Sequence, residues 1–187
     1  DFDEEDAVAK ATKAFEANVN AEELISAVEA PFEAPTTPYA FQYSLLGKAK
    51  ADKRTIVLPE GTEDRIIKAA DYLLERDIVD LIIVGDKESI LARGEELGLK
   101  SLEKAQFQAK DDEEVLAPMV AKLCELRAKK GMTEEQARKQ LTDDRYFGTM
   151  LVVLGKADGL VSGSINSTAN TVRPALQVIK TKPGSSL

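Results

Sequence analysis

The densest run of residues able to do chemistry is VSGSINSTANTVRPALQ, positions 161–177. Between an apolar segment and a helical one it packs Ser162, Ser164, Asn166, Ser167, Thr168, Asn170 and Thr171, followed by Arg173 and Pro174. A loop of small polar residues feeding a helix N-terminus presents free backbone N–H groups, hydroxyl donors and the positive end of the helix dipole to an anion. Arg173 adds a permanent charge in a fork that matches phosphate oxygens. The chemistry indicated is the binding of phosphate or a similar oxyanion. The same residue types populate ordinary loops, and Ser167 or Asn170 could simply cap the helix. Both readings stand at this level.

A second junction of the same kind is LPEGTEDR at 58–65. Glu60 and Asp64 are possible acid/base groups, but acids near a helix start ordinarily serve the dipole and the cap, and that reading is favoured. Gly61 is expected in a tight turn. Arg127, late in its own helix, reads by itself as a cation on the C-terminal dipole. Cys124 lies beside Val120 and Leu123 and reads as a small buried hydrophobe, while Tyr146 and Phe147 open an apolar helix face. The chain has no histidine, so it cannot supply a Ser-His-Asp or Cys-His arrangement or a histidine metal site. Any acid/base group must be Asp, Glu, Lys, Tyr or Cys.

Strands and helices alternate around these junctions. RTIVLP at 54–59 and VDLIIVG at 79–85 are β-rich, and a weaker strand is expected at 105–108. Helices follow the first two strands, with Thr62 a candidate cap for the first and Ile66, Ile67, Ala70, Leu73 and Leu74 on one face. A helix loaded with acids at its start and bases at its end runs from Asp111 towards Gly131. Thr133 and Gln136 form a capping box, a further helix covers Tyr146 to Leu154, and DGLVSG at 158–163 reads as another strand. The order implies an α/β protein with a parallel sheet and crossover helices. TKPGSSL at the end resembles the approach to a further strand. A parallel sheet left uncovered at its edge would expose apolar surface, so the chain is expected to be cut short relative to its domain.

Charge separates the ends. The 187 residues carry a net charge of −8, and residues 1–36 hold 10 acids against 2 bases, leaving the rest neutral. That segment predicts short amphipathic helices at 4–18 and 21–30, with Asn20 capping the second, and a proline-rich breaker at APFEAPTTP. Thr37 then caps a helix from Pro38 to near Asp52. The lack of a basic face argues against a nucleic-acid backbone partner. The longest apolar runs are far below the roughly 18 residues that suggest a membrane span, and no secretory signal is visible. A single cysteine fits a reducing compartment, so a cytoplasmic location is expected. The chain starts with Asp, which leaves room for a lost upstream segment.

RTIVLPEGTEDRIIKAAD, ELRAKKGMT and YFGTMLVVLGKADGLVSGSINSTANTVRPALQVIKTKPGSSL together resemble the first half of the phosphate acetyltransferase domain. Members interconvert acetyl-CoA plus phosphate with acetyl phosphate plus CoA. The resemblance runs from about Thr37 to the last residue. It implies residues 1–36 as an acidic connector from an upstream domain and 37–187 as the N-terminal part of the transferase domain. The implied fold is two-lobed, with the active site in the cleft, in a homodimeric full-length protein.

The implied reaction is direct acyl transfer, in which a base deprotonates the CoA thiol and the thiolate attacks the acetyl carbonyl. Coenzyme A is a substrate, and neither metal nor cofactor is implied. Arg173 matches a family arginine implicated in substrate binding, and Arg127 one implicated in CoA binding. Ser167 and Thr168 fall in the loop lining the acyl-phosphate pocket. The family's base and oxyanion donors belong to the C-terminal half, so no catalytic residue is assigned here and the 187-residue chain is expected to be inactive alone. Many members carry histidine where this chain has Asn166. Rival implications are a phosphate butyryltransferase, an acetyl-CoA-sensing domain like that attached to malic enzymes, and a scaffold with an acidic docking segment.

Overall fold

The computed structural model describes residues 5–30, 36–182 and 184–185. Most of the proline-rich breaker, at 31–35, lies outside the described residues. The chain divides into two compact units, Asp1–Phe41 and Gln42–Leu187.

The first unit contains α1 (Glu5–Asn18) and α2 (Ala21–Glu29). The Asn20 side chain accepts the N–H groups of Glu22 and Glu23 at 3.1 and 3.3 Å, so two donors that the helix itself cannot satisfy are met. Val8, Phe15, Leu24, Ile25 and Val28 are exposed. Helix α3 (Pro38–Ala51) opens after Thr37, whose hydroxyl accepts from the Ala40 N–H at 3.1 Å. Proline suits the first helical position because its missing N–H has no intrahelical partner there.

The second unit is built on a parallel sheet of β1 (Thr55–Leu58), β2 (Asp80–Val84), β3 (Gln106–Gln108) and β4 (Gly159–Leu160), in the order β3-β2-β1-β4. Val57 is opposite Ile82 on one side and Leu160 on the other. Helices α4 (Asp64–Glu75) and α5 (Lys87–Glu96) follow β1 and β2. After β3 come α6 (Glu113–Leu126), α7 (Glu134–Gln140) and α8 (Asp144–Val153), and α9 (Thr168–Val178) follows β4. The capping box of Thr133 and Gln136 opens α7 as expected.

Alternating strand residues feed two cores, as the pleat requires. Val57, Ile82 and Val84 join Met119, Leu123, Phe147 and Met150 from α6 and α8. Leu58, Leu81 and Ile83 join Ile67, Leu74 and Ile90 from α4 and α5. Each such side chain stabilises the fold by roughly 1.5–3 kcal/mol.

Two local expectations are corrected. The N-cap of α4 is Glu63, without a side-chain cap bond, and Thr62 is exposed. Gly61 sits in the tight turn expected of it, closed by the Glu63 N–H on the Glu60 carbonyl at 3.1 Å, and it also answers a close approach: a Cβ there would meet the Val84 carbonyl oxygen at 2.4 Å and Ile83 Cγ2 at 2.7 Å. Strand β4 is two residues long where six were expected. Its pairing ends when the Val161 N–H donates to the Val57 carbonyl at 3.0 Å, after which the backbone turns away at Gly163.

Candidate functional site

The strand order sets where a ligand can approach. From β1 the chain proceeds through α4 to β2 and β3 on one side, then crosses back to place β4 on the other side of β1. The loops leaving β1 and β4 therefore lie side by side at the carboxyl ends of adjacent strands, the position at which open α/β sheets bind their ligands. The stretches LPEGTEDR and VSGSINSTANTVRP contain these two loops, at 59–63 and 161–167.

Their meeting is organised by Glu60, which is only 3% exposed. Its carboxylate accepts the backbone N–H groups of Gly163 at 3.1 Å, Ser164 at 2.9 Å and Ile165 at 3.4 Å. The Asn166 side-chain amide adds a fourth donor at 2.8 Å. Successive N–H groups aimed at one point form an anion nest. Gly163, at φ 114°, adopts the backbone conformation this requires, one that side chains other than glycine rarely tolerate. Burial pushes the Glu60 carboxyl up, but the hydrogen bonds from Ser164, Asn166, Ile165 and Gly163 outweigh it and hold the group below its ordinary 4.5. Glu60 is thus an internal anion, and the expectation that it serves the α4 cap or dipole is corrected.

Two arginines flank this carboxylate. Arg145, in the first turn of α8, donates to the Asn166 side-chain oxygen at 2.9 Å and is forked onto Asp143, the N-cap of its helix. Burial pushes the Asp143 carboxyl up, and its bonds from Arg145 more than reverse this. Arg65 of α4 donates to the Ser164 carbonyl at 2.9 Å. The chain Glu60–Asn166–Arg145–Asp143 links the loops after β1 and β4 to the start of α8. Sequence reasoning passed over Arg145 and Arg65, whose only local signal was position beside helix-start acids.

The anticipated ligand-binding residues follow the nest. Ser167 is the N-cap of α9 and its hydroxyl accepts the Asn170 N–H at 3.4 Å. Thr168 is the first helical residue, and both are exposed. Arg173 is exposed on the same helix, and its guanidinium makes no hydrogen bond or ion pair among the described residues. Helical side chains project back towards the N-terminus, so Arg173 belongs to the surface over Ala169 and Asn170. Pro174, beside it, is buried. Ser162, at the root of the loop, has a buried hydroxyl with no partner.

Arg127 stands apart as the C-cap of α6, half-buried, with its Nε buried and unpartnered. No hydrogen bond joins it to the loop before α9 among the described residues. Tyr146 and Phe147 are core residues, as expected, with the Tyr146 hydroxyl donating to Gln177 of α9 at 2.8 Å. Cys124 is a half-buried free thiol. No cluster of three or more potential metal ligands occurs among the described residues, and no described helix is long and apolar enough to cross a membrane.

Known proteins are similar to this chain along the stretch that holds these loops. The sequence profile for "Phosphate acetyl/butaryl transferase" matches residues 40–187. A phosphate acetyltransferase of Nitratidesulfovibrio vulgaris is 43% identical over 173 residues, covering 92% of this chain and 24% of that protein. One from Acetivibrio thermocellus is 41% identical over 148 residues, 79% of this chain and 44% of that protein. A solved phosphotransacetylase from Streptococcus pyogenes superposes with a TM-score of 0.74 at 38% identity, covering 81% of this chain and 45% of that one. The EutD phosphotransacetylase from Staphylococcus aureus gives 0.70 at 43%, covering 78% and 44%. The chain therefore spans between a quarter and a half of the length of these relatives. A profile match that takes in both loops, with sequence and fold likeness along the same stretch, places this chain in the phosphate acetyl/butaryl transferase family.

Proposed function

We propose that the chain supplies the substrate-anchoring part of a phosphate acetyltransferase, interconverting acetyl-CoA plus phosphate with acetyl phosphate plus CoA. The observation that carries this reading is the start of α9 at the switch point, where Ser167 and Thr168 open an 11-residue helix bearing the unpaired guanidinium of Arg173. Ser167, Thr168 and Arg173 hold the phosphoryl group, and Arg127 holds CoA. In the forward step the CoA thiolate forms a bond to the acetyl carbon and the bond from that carbon to the phosphate oxygen breaks. Phosphate leaves with the electron pair, and donors at α9 favour the charge it gains. That the relatives at 41 and 43% identity are phosphate acetyltransferases favours acetyl over butyryl substrates.

The base that takes the thiol proton is assigned to none of the 187 residues, so the isolated chain is expected to be inactive. A homodimeric, cytoplasmic enzyme without resident metal or cofactor belongs to the same proposal. The test is steady-state kinetics of the full-length enzyme. Charge-assisted hydrogen bonds contribute about 1.5–3 kcal/mol each, so Arg173→Ala should lower kcat/KM for acetyl phosphate roughly ten- to hundredfold. Unchanged kinetics would remove Arg173 from the site.

A further inference from the structure

Resting on that reading, we infer that Glu60 is a positioning residue: its buried carboxylate is a built-in anion that fills the nest at 163–165 and thereby sets the start of α9 for substrate. The N–H groups of Gly163, Ser164 and Ile165 converge on one point, and Glu60 already takes all three. A substrate phosphate therefore meets the next turn, at Ser167 and Thr168, rather than the nest. Only one residue separates Ile165 from Ser167, so any displacement of the nest carries directly into the α9 N-cap.

The anchorage is rigid for a physical reason. Glu60 lies on the short segment between β1 and α4, with Gly61 packed against β2 and no room for a Cβ. Its backbone thus cannot follow the loop, and the loop must conform to the carboxylate. Asn166 closes the arrangement, donating to Glu60 and accepting from Arg145. Glu60 touches no substrate in this scheme. It acts through Ser167, Thr168 and Arg173 by fixing the turn that presents them.

The experiment uses the full-length enzyme, with inorganic phosphate and CoA varied separately. Glu60→Gln keeps the shape but presents an amide N–H₂ to backbone donors; Glu60→Ala vacates the nest. Glu60→Gln should raise KM for phosphate and acetyl phosphate about tenfold or more while KM for CoA changes less than about twofold. Activity of Glu60→Ala should recover with added formate, whose carboxylate refits the nest, and not with formamide.

Wild-type phosphate KM in Glu60→Gln, beside an impaired Arg173→Ala, overturns the role of Glu60 and leaves the phosphate reading standing. A silent Arg173→Ala overturns both. Equal rises in both KM values, or recovery with formamide as readily as formate, reduce Glu60 to general stability and also overturn the inference. Should Glu60→Ala fail to fold, Asn166→Ala provides the second measurement, since it removes one donor and spares the carboxylate. A smaller rise in phosphate KM alone is expected from it, and wild-type behaviour counts against the proposal.

Discussion

The side-chain amide of Asn166 donates to the carboxylate of Glu60 at 2.8 Å across 106 positions of sequence. The same amide accepts from Arg145 at 2.9 Å, so one neutral group offers a donor to the anion and an acceptor to the cation. Neither face of the amide changes protonation near neutral pH.

The depressed pKa of Glu60 gives stability a defined pH dependence. Its folded value lies below the unfolded 4.5, so the carboxylate contributes fully above the unfolded value and its contribution is lost as pH falls through the folded one. Arg65 from α4 and Arg145 from α8 face the same carboxylate and remain charged throughout. Glu60→Gln should cost about 2 kcal/mol at pH 7, shrinking steadily below about pH 4. Urea unfolding of both proteins at pH 7 and at about pH 3 checks this; a constant difference would contradict it.

Gly61→Ala tests the closeness of the β1 loop to β2. The added Cβ would fall 2.4 Å from a backbone oxygen that belongs to a paired strand and cannot swing aside. A loss of about 1–3 kcal/mol in unfolding free energy is expected, the usual range of overpacking costs. A neutral variant would show that the loop can lift off the sheet.

Arg127 presents a buried Nε without a partner, a state that costs about 1–3 kcal/mol unless something accepts from it. In the full-length enzyme Arg127→Ala should raise KM for CoA roughly tenfold or more and leave KM for phosphate nearly unchanged. A rise confined to phosphate would move this arginine to the other substrate.

What could be read from the sequence was local. The caps at Asn20, Thr37 and Thr133 depend on groups two or three residues away, and each is realised. The strands TIVL and DLIIV follow from runs of branched residues whose alternation between two cores needs no distant information. The helix start at Ser167 and Thr168, with Arg173 on the same helix, was legible for the same reason. Glu60 was not, because its four donors lie 103 to 106 positions away and meet it only once β4 is placed beside β1. Arg145 was hidden likewise, since Asp143 beside it looks like a simple cap and its second partner is 21 residues on. The shortness of β4 also depends on long-range geometry, namely the turn that delivers Gly163 to Glu60.

Pro174 has a consequence for how stiff this region is. With no amide hydrogen, it leaves the carbonyl of Asn170 without the usual rung four residues on, and its ring crowds the preceding turn. The opening coil of α9 is thereby partly uncoupled from the column behind it. It takes its bearing from the rim of the sheet, as a pennant takes its direction from the mast rather than from its own cloth.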